Sequence, residues 1–125
     1  MRLFAAAAVI GLALTASAHA DGDAAKGEKV FKKCAACHAV GEGAKNKVGP
    51  VLNGVIGRHA AAIEDFKYSK AMVDKGAEGL VWDEATLATY LEKPKDLVPG
   101  TKMAFAGLKK EDEREDVIAY LKQFQ

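Results

Sequence analysis

The chain has 125 residues, 50% of them hydrophobic and 28% charged, with a formal net charge of +1. That length suits one compact domain and is too short for two. The near-neutral balance excludes the basic excess that marks a nucleic-acid-binding protein, and no nucleic-acid motif accompanies it.

The first twenty residues begin with a basic residue, Arg2, run apolar over residues 3–14, and end in Ala18-His19-Ala20, with small residues where a signal peptidase cuts. Cleavage is expected after Ala20, making residues 1–20 a signal peptide and residues 21–125 the mature domain. A retained anchor is disfavoured, because the apolar stretch falls short of the roughly 20 residues that span a bilayer as a helix. No second transmembrane candidate follows, so an exported, soluble protein is expected. Arg2 is the one charged residue of the leader, which leaves 17 Lys and Arg against 17 Asp and Glu in the mature chain.

Residues 23–36 have a helical pattern: Asp23 can cap the start, Val30, Phe31 and Cys34 share one face, and lysines fill the other. Gly27 inside that helix costs about 1 kcal/mol relative to alanine, so another helix backbone is expected to approach closely there. The helix runs into Cys34-Ala35-Ala36-Cys37-His38, which holds both cysteines of the chain. Two thiols at this spacing can each add to one vinyl group of a single porphyrin, and the adjacent imidazole can reach its iron. The run therefore reads as a haem attachment site. A structural zinc site would need a second ligand pair, and His59 is the only other histidine of the mature chain. A thioredoxin-like centre would sit beside a strand-helix-strand pattern, whereas these flanks are helix-forming.

Residues 40–65 are rich in glycine and small residues and keep no sustained period. So long a loop in a small domain is unusual unless it is functional, and enclosing a large flat cofactor is one such function. A short helix is expected over about 68–74, followed by breaks at Gly76 and Gly79 ahead of Trp82. Asp83 can cap another helix, in which Leu87, Tyr90 and Leu91 share a face and which Pro94 stops. Residues 93–110 then read as loop, holding Met103 after Pro99 and Gly100. The last helix starts near Lys110, with acids from Glu111 to Asp116 near its positive end and Lys122 near its negative end, as the helix dipole favours. Val117, Ile118, Tyr120, Leu121 and Phe124 form its apolar stripe. No strand, repeat or low-complexity segment stands out.

A haem bound through His38 leaves a sixth iron position, and its ligand separates electron transfer from chemistry on a bound molecule. Met72, Met103 and His59 are the candidates. Met72 falls in an amphipathic helix, where a core or surface role is ordinary, while Met103 sits in a loop shaped by Pro99 and Gly100. Composition alone favours Met103 only modestly.

The order of Cys34 to His38, Gly49-Pro50, Gly57-Arg58, Trp82, Tyr90-Leu91, Pro99-Gly100-Thr101-Lys102-Met103 and Glu113-Arg114-Glu115-Asp116 resembles class I cytochromes c, in particular their mitochondrial-like bacterial subgroup. The likeness covers essentially all the mature residues. It implies an all-α fold in which N- and C-terminal helices cross, with Gly27 and Phe31 facing Val117 and Tyr120, and loops wrap one covalently bound haem c. By the same resemblance, Cys34 and Cys37 form the thioethers, His38 and Met103 are the axial ligands, and the Pro50 carbonyl holds the His38 ring. Arg58, Tyr68 and Trp82 resemble residues near the buried propionates, and Tyr90 and Thr101 those that hydrogen-bond around the methionine side and the inner propionate. The stretch between Arg58 and Trp82 is slightly longer than the family pattern.

The resemblance further implies a periplasmic, monomeric, single-haem electron carrier rather than an enzyme. Its partners would be a cytochrome bc-type complex as donor and a photosynthetic reaction centre or terminal oxidase as acceptor. Lys33, Lys47, Lys95, Lys102, Lys109 and Lys110 match positions that ring the haem edge and would dock such partners transiently. A gas-binding sensor or peroxide enzyme would use a labile or absent sixth ligand, which the Met103 loop opposes. A dedicated subunit of a periplasmic dehydrogenase would need an extra apolar surface, which the sequence does not display.

Overall fold

The computed structural model describes residues 22–125; the expected signal peptide lies outside them. Five helices occur in the order α1 (Ala24–Phe31), α2 (Lys70–Ala77), α3 (Glu84–Glu92), α4 (Pro94–Leu97) and α5 (Glu111–Leu121). There are no strands among the described residues, only an isolated antiparallel bridge between His59 and Val81. None of the helices described is long and apolar enough to cross a membrane.

The Asp23 carboxylate caps α1 by accepting from the Ala25 and Lys26 amides, at 2.9 and 3.2 Å, which satisfies donors that a first helical turn leaves unpaired. The helix is shorter than the expected span of 23–36. After Phe31 the chain tightens into turns, with Lys33 N donating to Val30 O and Cys34 N to Phe31 O. Helix-forming residues continue there, but the tighter winding is what gathers the two cysteines and His38.

α1 packs against α5, and Gly27 is the reason the two can approach. A Cβ at Gly27 would overlap the Asp116 carbonyl and lie 2.8 Å from Tyr120 Cβ. One turn on, the Phe31 and Tyr120 rings meet at 5.4 Å between centroids. The Asp116 side chain reaches back to accept from Asp23 N at 2.7 Å, so it ties the start of α1 to the same crossing. Val117, Ile118 and Leu121 are buried beneath it.

α2 starts two residues later than expected, because the cap is Ser69, whose buried hydroxyl accepts from Met72 N at 3.0 Å. Asp83 caps α3 through Thr86 N, as expected. Pro94 does stop α3, but it also begins α4 as its first residue, and this short helix replaces part of the expected loop. Proline suits that position, since its fixed φ is helical and its missing N–H would have gone unused.

The segment between Arg58 and Trp82 closes on itself. Gly57 N donates to Trp82 O, Trp82 N to Arg58 O, and Ala60 N to Leu80 O, at 2.7 to 2.8 Å. Arg58 and Trp82 are thereby held side by side.

Replacing Gly27 with leucine should force the two backbones apart and cost about 1 to 3 kcal/mol, the usual penalty of overpacking. Guanidinium unfolding of the intact protein, followed by far-ultraviolet circular dichroism, measures it; an unchanged midpoint would contradict the crossing described.

Candidate functional site

One cavity of about 270 Å³ opens in the middle of the fold, and its lining is predominantly apolar. Its walls are also the core: Phe31, Trp82, Tyr90, Leu91, Val117 and Leu121 belong to the buried cluster and face the cavity as well.

The two cysteines and His38 are placed by a single acceptor. The Cys34 carbonyl takes hydrogen bonds from both Cys37 N (3.0 Å) and His38 N (2.9 Å), folding the five-residue motif into one turn on the cavity wall. No disulfide joins the two cysteines, and both are half-buried. Before it is joined to anything, burial pushes the Cys34 thiol up, against the pull of Lys33 and with a smaller push from Cys37.

His38 is oriented from the facing loop. Its Nδ1 lies 2.8 Å from the Pro50 carbonyl, and a carbonyl can only accept, so Nδ1 carries the proton. Burial lowers the tendency of the ring to become charged, the Pro50 bond opposes this, and Arg58 and Lys47 add to it. The result is a neutral imidazole whose Nε2 keeps its lone pair, the form that ligates a metal. Gly49 has no side chain because the His38 ring occupies the space: a Cβ would overlap it. Gly49 N also donates to Cys37 O at 2.8 Å, so loop and motif are joined directly.

Met103 lines the same cavity from the loop between α4 and α5. That loop is fixed at both ends. At its start, Thr101 N donates to Val98 O, and Gly100 adopts φ +89°, a left-handed conformation suited to glycine. At its end, Leu108 N donates to the Leu91 carbonyl at 2.7 Å, satisfying an acceptor that α3 leaves free at its C-terminus. Between them, Thr101 Oγ1 accepts from Met103 N at 3.3 Å and bonds the Tyr90 hydroxyl at 3.0 Å.

Of the remaining residues expected at the site, Arg58, Tyr68 and Trp82 also line the cavity. Arg58 Nη1 donates to the carbonyls of Val51 (3.0 Å) and Asn53 (3.4 Å). Its partial burial lowers its pKa, with Tyr68 acting in the opposite sense, yet a guanidinium stays protonated. A positive group inside an apolar cavity without a facing carboxylate fits a ligand that brings its own negative charge. Tyr68 OH accepts from Ile63 N at 3.1 Å. Trp82, 6% exposed, stacks at a tilt on Tyr90 with centroids 4.9 Å apart.

The lysines divide. Lys33 and Lys102 line the cavity mouth, whereas Lys47, Lys95, Lys109 and Lys110 are exposed elsewhere. Lys47 has a structural task, since its Nζ donates to the Ala35 carbonyl at 2.8 Å and braces the turn that carries the cysteines. Phe66, Ser69 and Met72 were not expected in the cavity lining. The cap at Ser69 was the available signal, because it places Met72 on the first turn of α2.

Among the described residues, no group of three or more His, Cys, Asp or Glu is placed to hold a bare metal ion. The donors are two thiols, a neutral imidazole and a thioether around an apolar volume, with a guanidinium in its lining. These residues fit a covalently held iron porphyrin bearing carboxylates.

Comparison with known proteins agrees with that chemistry. Residues 24–125 match the family described as cytochrome c. The chain is similar to cytochrome c2 of Agrobacterium tumefaciens, at 57% identity over 101 residues covering 81% of this chain and 91% of that protein. It is also similar to cytochrome c2 of Blastochloris viridis, at 52% identity over 113 residues covering 90% and 87%. The solved structure of cytochrome c2 from Rhodospirillum centenum superposes with a TM-score of 0.80 at 46% identity, over 83% of this chain and 99% of that one.

Burial pushes the Tyr90 phenol up, and the Thr101 bond pulls it down. The fold therefore holds the neutral phenol. Its contribution is complete below pH about 10 and is lost as pH rises through the higher folded value. Thr101→Val should cost about 1 to 3 kcal/mol by leaving that hydroxyl unpartnered, and less when Tyr90→Phe is already present. A double-mutant cycle by denaturant unfolding checks the coupling, and strictly additive losses would reject it.

Proposed function

The chain belongs to the cytochrome c family, as a class I bacterial member, and from that membership we propose that it shuttles single electrons between a cytochrome bc-type complex and a photosynthetic reaction centre or terminal oxidase. It is an electron-transfer protein with one covalently bound haem c, and not an enzyme. The observation that carries the finer reading is that His38 and Met103 line one apolar cavity together with both cysteines.

We assign Cys34 and Cys37 to the thioethers and His38 and Met103 to the two axial positions. Haem c supplies a one-electron iron couple. The protein's part is to keep that couple from needing rearrangement. The Pro50 carbonyl fixes the His38 tautomer, and the Thr101 bond to Met103 N holds the loop that presents the thioether. A thioether ligand favours the reduced state, and apolar walls that exclude water favour it further. Arg58, Tyr68 and Trp82 would lie toward the group's carboxylates, and Tyr90 would fill the wall on the Met103 side.

With His38 and Met103 both holding the group, no substrate would have to enter, and the electron would pass on encounter with the partner. Lys33 and Lys102 at the mouth, with Lys95, Lys109 and Lys110 beyond it, would steer an acidic partner. The leader supports export to the periplasm, with residues 21–125 as the mature domain.

Met103→Ala should lower the reduction potential and open the iron to carbon monoxide, whereas the unsubstituted ferrous protein should be indifferent to the gas. Optical spectra with and without carbon monoxide read both outcomes, and gas binding by the unsubstituted protein would favour a sensor. Electron-transfer rates with membranes of the native host should fall as salt rises above low ionic strength. A flat response would reject steering.

A further inference from the structure

The peptide group between Pro50 and Val51 is engaged at both ends. Its carbonyl accepts from His38 Nδ1 at 2.8 Å, and its N–H donates to the Asn46 side-chain oxygen at 2.8 Å. The Asn46 amide is engaged at its own far end as well, where Nδ2 donates to the Asp65 carboxylate at 3.0 Å. Three hydrogen bonds thus run in one direction, from an imidazole through a peptide and a side-chain amide to a negative charge.

The direction is forced by the partners. A peptide N–H only donates and a carboxylate only accepts, so the two neighbours of Asn46 decide which of its amide atoms faces which. Neither Asn46 nor Asp65 lines the cavity. They reach its imidazole only through the peptide.

That peptide is held firmly in place. Gly49 N donates to Cys37 O at 2.8 Å on one side of it, and Leu52 N donates to Ala39 O at 3.1 Å on the other. The His38 ring fills the space that a side chain at Gly49 would need, and Arg58 Nη1 donates to the Val51 carbonyl at 3.0 Å. What passes along such a chain is polarisation rather than movement. A carboxylate drawing on Nδ2 makes the Asn46 oxygen a stronger acceptor for the Val51 N–H, which makes the Pro50 oxygen more negative and its pull on the His38 proton greater. Nε2 becomes the stronger donor as a result.

We propose that Asn46 and Asp65 are positioning residues for electron transfer, acting through the Pro50–Val51 peptide to make His38 a more electron-donating ligand and so to hold the reduction potential down. This deepens the electron-carrier reading and rests on it. A more basic imidazole favours the oxidised iron, which opposes the pull of the Met103 thioether toward the reduced state. Asp65 is exposed, so solvent screens part of its charge and the effect is modest.

The test uses the intact haem-loaded protein, and it reads the midpoint potential together with the NMR shift of the His38 Nδ1 proton in the ferrous state. Asp65→Asn keeps an acceptor for Asn46 but removes the charge. It should raise the potential by about 20 to 30 mV, a change of about twofold to threefold in the redox equilibrium at about 59 mV per tenfold, and move the Nδ1 proton upfield. Glu64→Gln removes the charge next to it and should leave the proton in place and the potential nearly so. Exchanging the pair, Asn46→Asp with Asp65→Asn, sets the carboxylate directly on the Val51 N–H. The exchange should restore the downfield proton and return the potential to that of the unsubstituted protein or below it. A rise in potential with no move of the proton, or an equal rise in Glu64→Gln, would mean a surface charge acting through solvent and would overturn the proposal. An exchange variant that behaves like Asp65→Asn alone would overturn it too. If the unsubstituted protein has no reversible one-electron couple, the carrier reading falls as well; if it has one and Asp65→Asn changes neither readout, only the relay falls.

Discussion

Two helix backbones can touch only where a side chain is missing, and in this chain that place is Gly27. Because α1 meets α5 there, Phe31 comes down beside Tyr120 and the turns that follow α1 arrive at the cavity wall. The Cys34 carbonyl then has only to gather two successive amide groups for both thiols and His38 to share that wall. From α5, Val117 and Leu121 reach the same space. The position of the site is thus set by a crossing on which none of the proposed ligands lies.

Core and cavity share their walls, which ties cofactor binding to stability. A domain of this size buries a modest fraction of its surface, and here much of the apolar interior faces a space shaped for a prosthetic group. The polar groups that remain inside are answered by protein partners: His38 by Pro50, Tyr90 by Thr101, and Arg58 by the Val51 carbonyl. No buried side-chain nitrogen or oxygen among the described residues lacks a partner. Such an interior has few alternative arrangements, and a carrier whose charge changes on each cycle gains from that, since little has to move.

Much of this was legible in the chain because its signals are local. Asp23 and Asp83 announce helix starts through a side chain that can reach only the next few amides, and the acids at the start of α5 do so through the dipole. The cysteine motif is legible for the same reason, its chemistry lying within five residues. The end of α1 was misjudged because Lys32 to Ala36 remain good helix formers, and only the close of the turn on Phe31 and Cys34 carbonyls ends the regular winding. Pro94 reads as a stop, and its second role as the first residue of α4 is set by the extended Lys93 before it. Phe66 reaches the cavity through the closure of a long loop, which leaves no periodic trace, whereas Met72 is placed there by the Ser69 cap of α2. Lys47 resembles its exposed neighbours, and nothing local reveals that its ammonium is engaged with Ala35.

The bridge between His59 and Val81 bears on how such a chain can diverge. It fastens the base of the lobe formed by residues 60–80 and so helps to hold Arg58 and Trp82 adjacent. Added or deleted residues that spare Phe66, Tyr68, Ser69 and Met72, which line the cavity, would lengthen or shorten the lobe and leave the neck in place. Loop closure grows costlier only slowly with length, so this part of the polypeptide is where descendants can gain or lose residues while the redox centre is inherited intact.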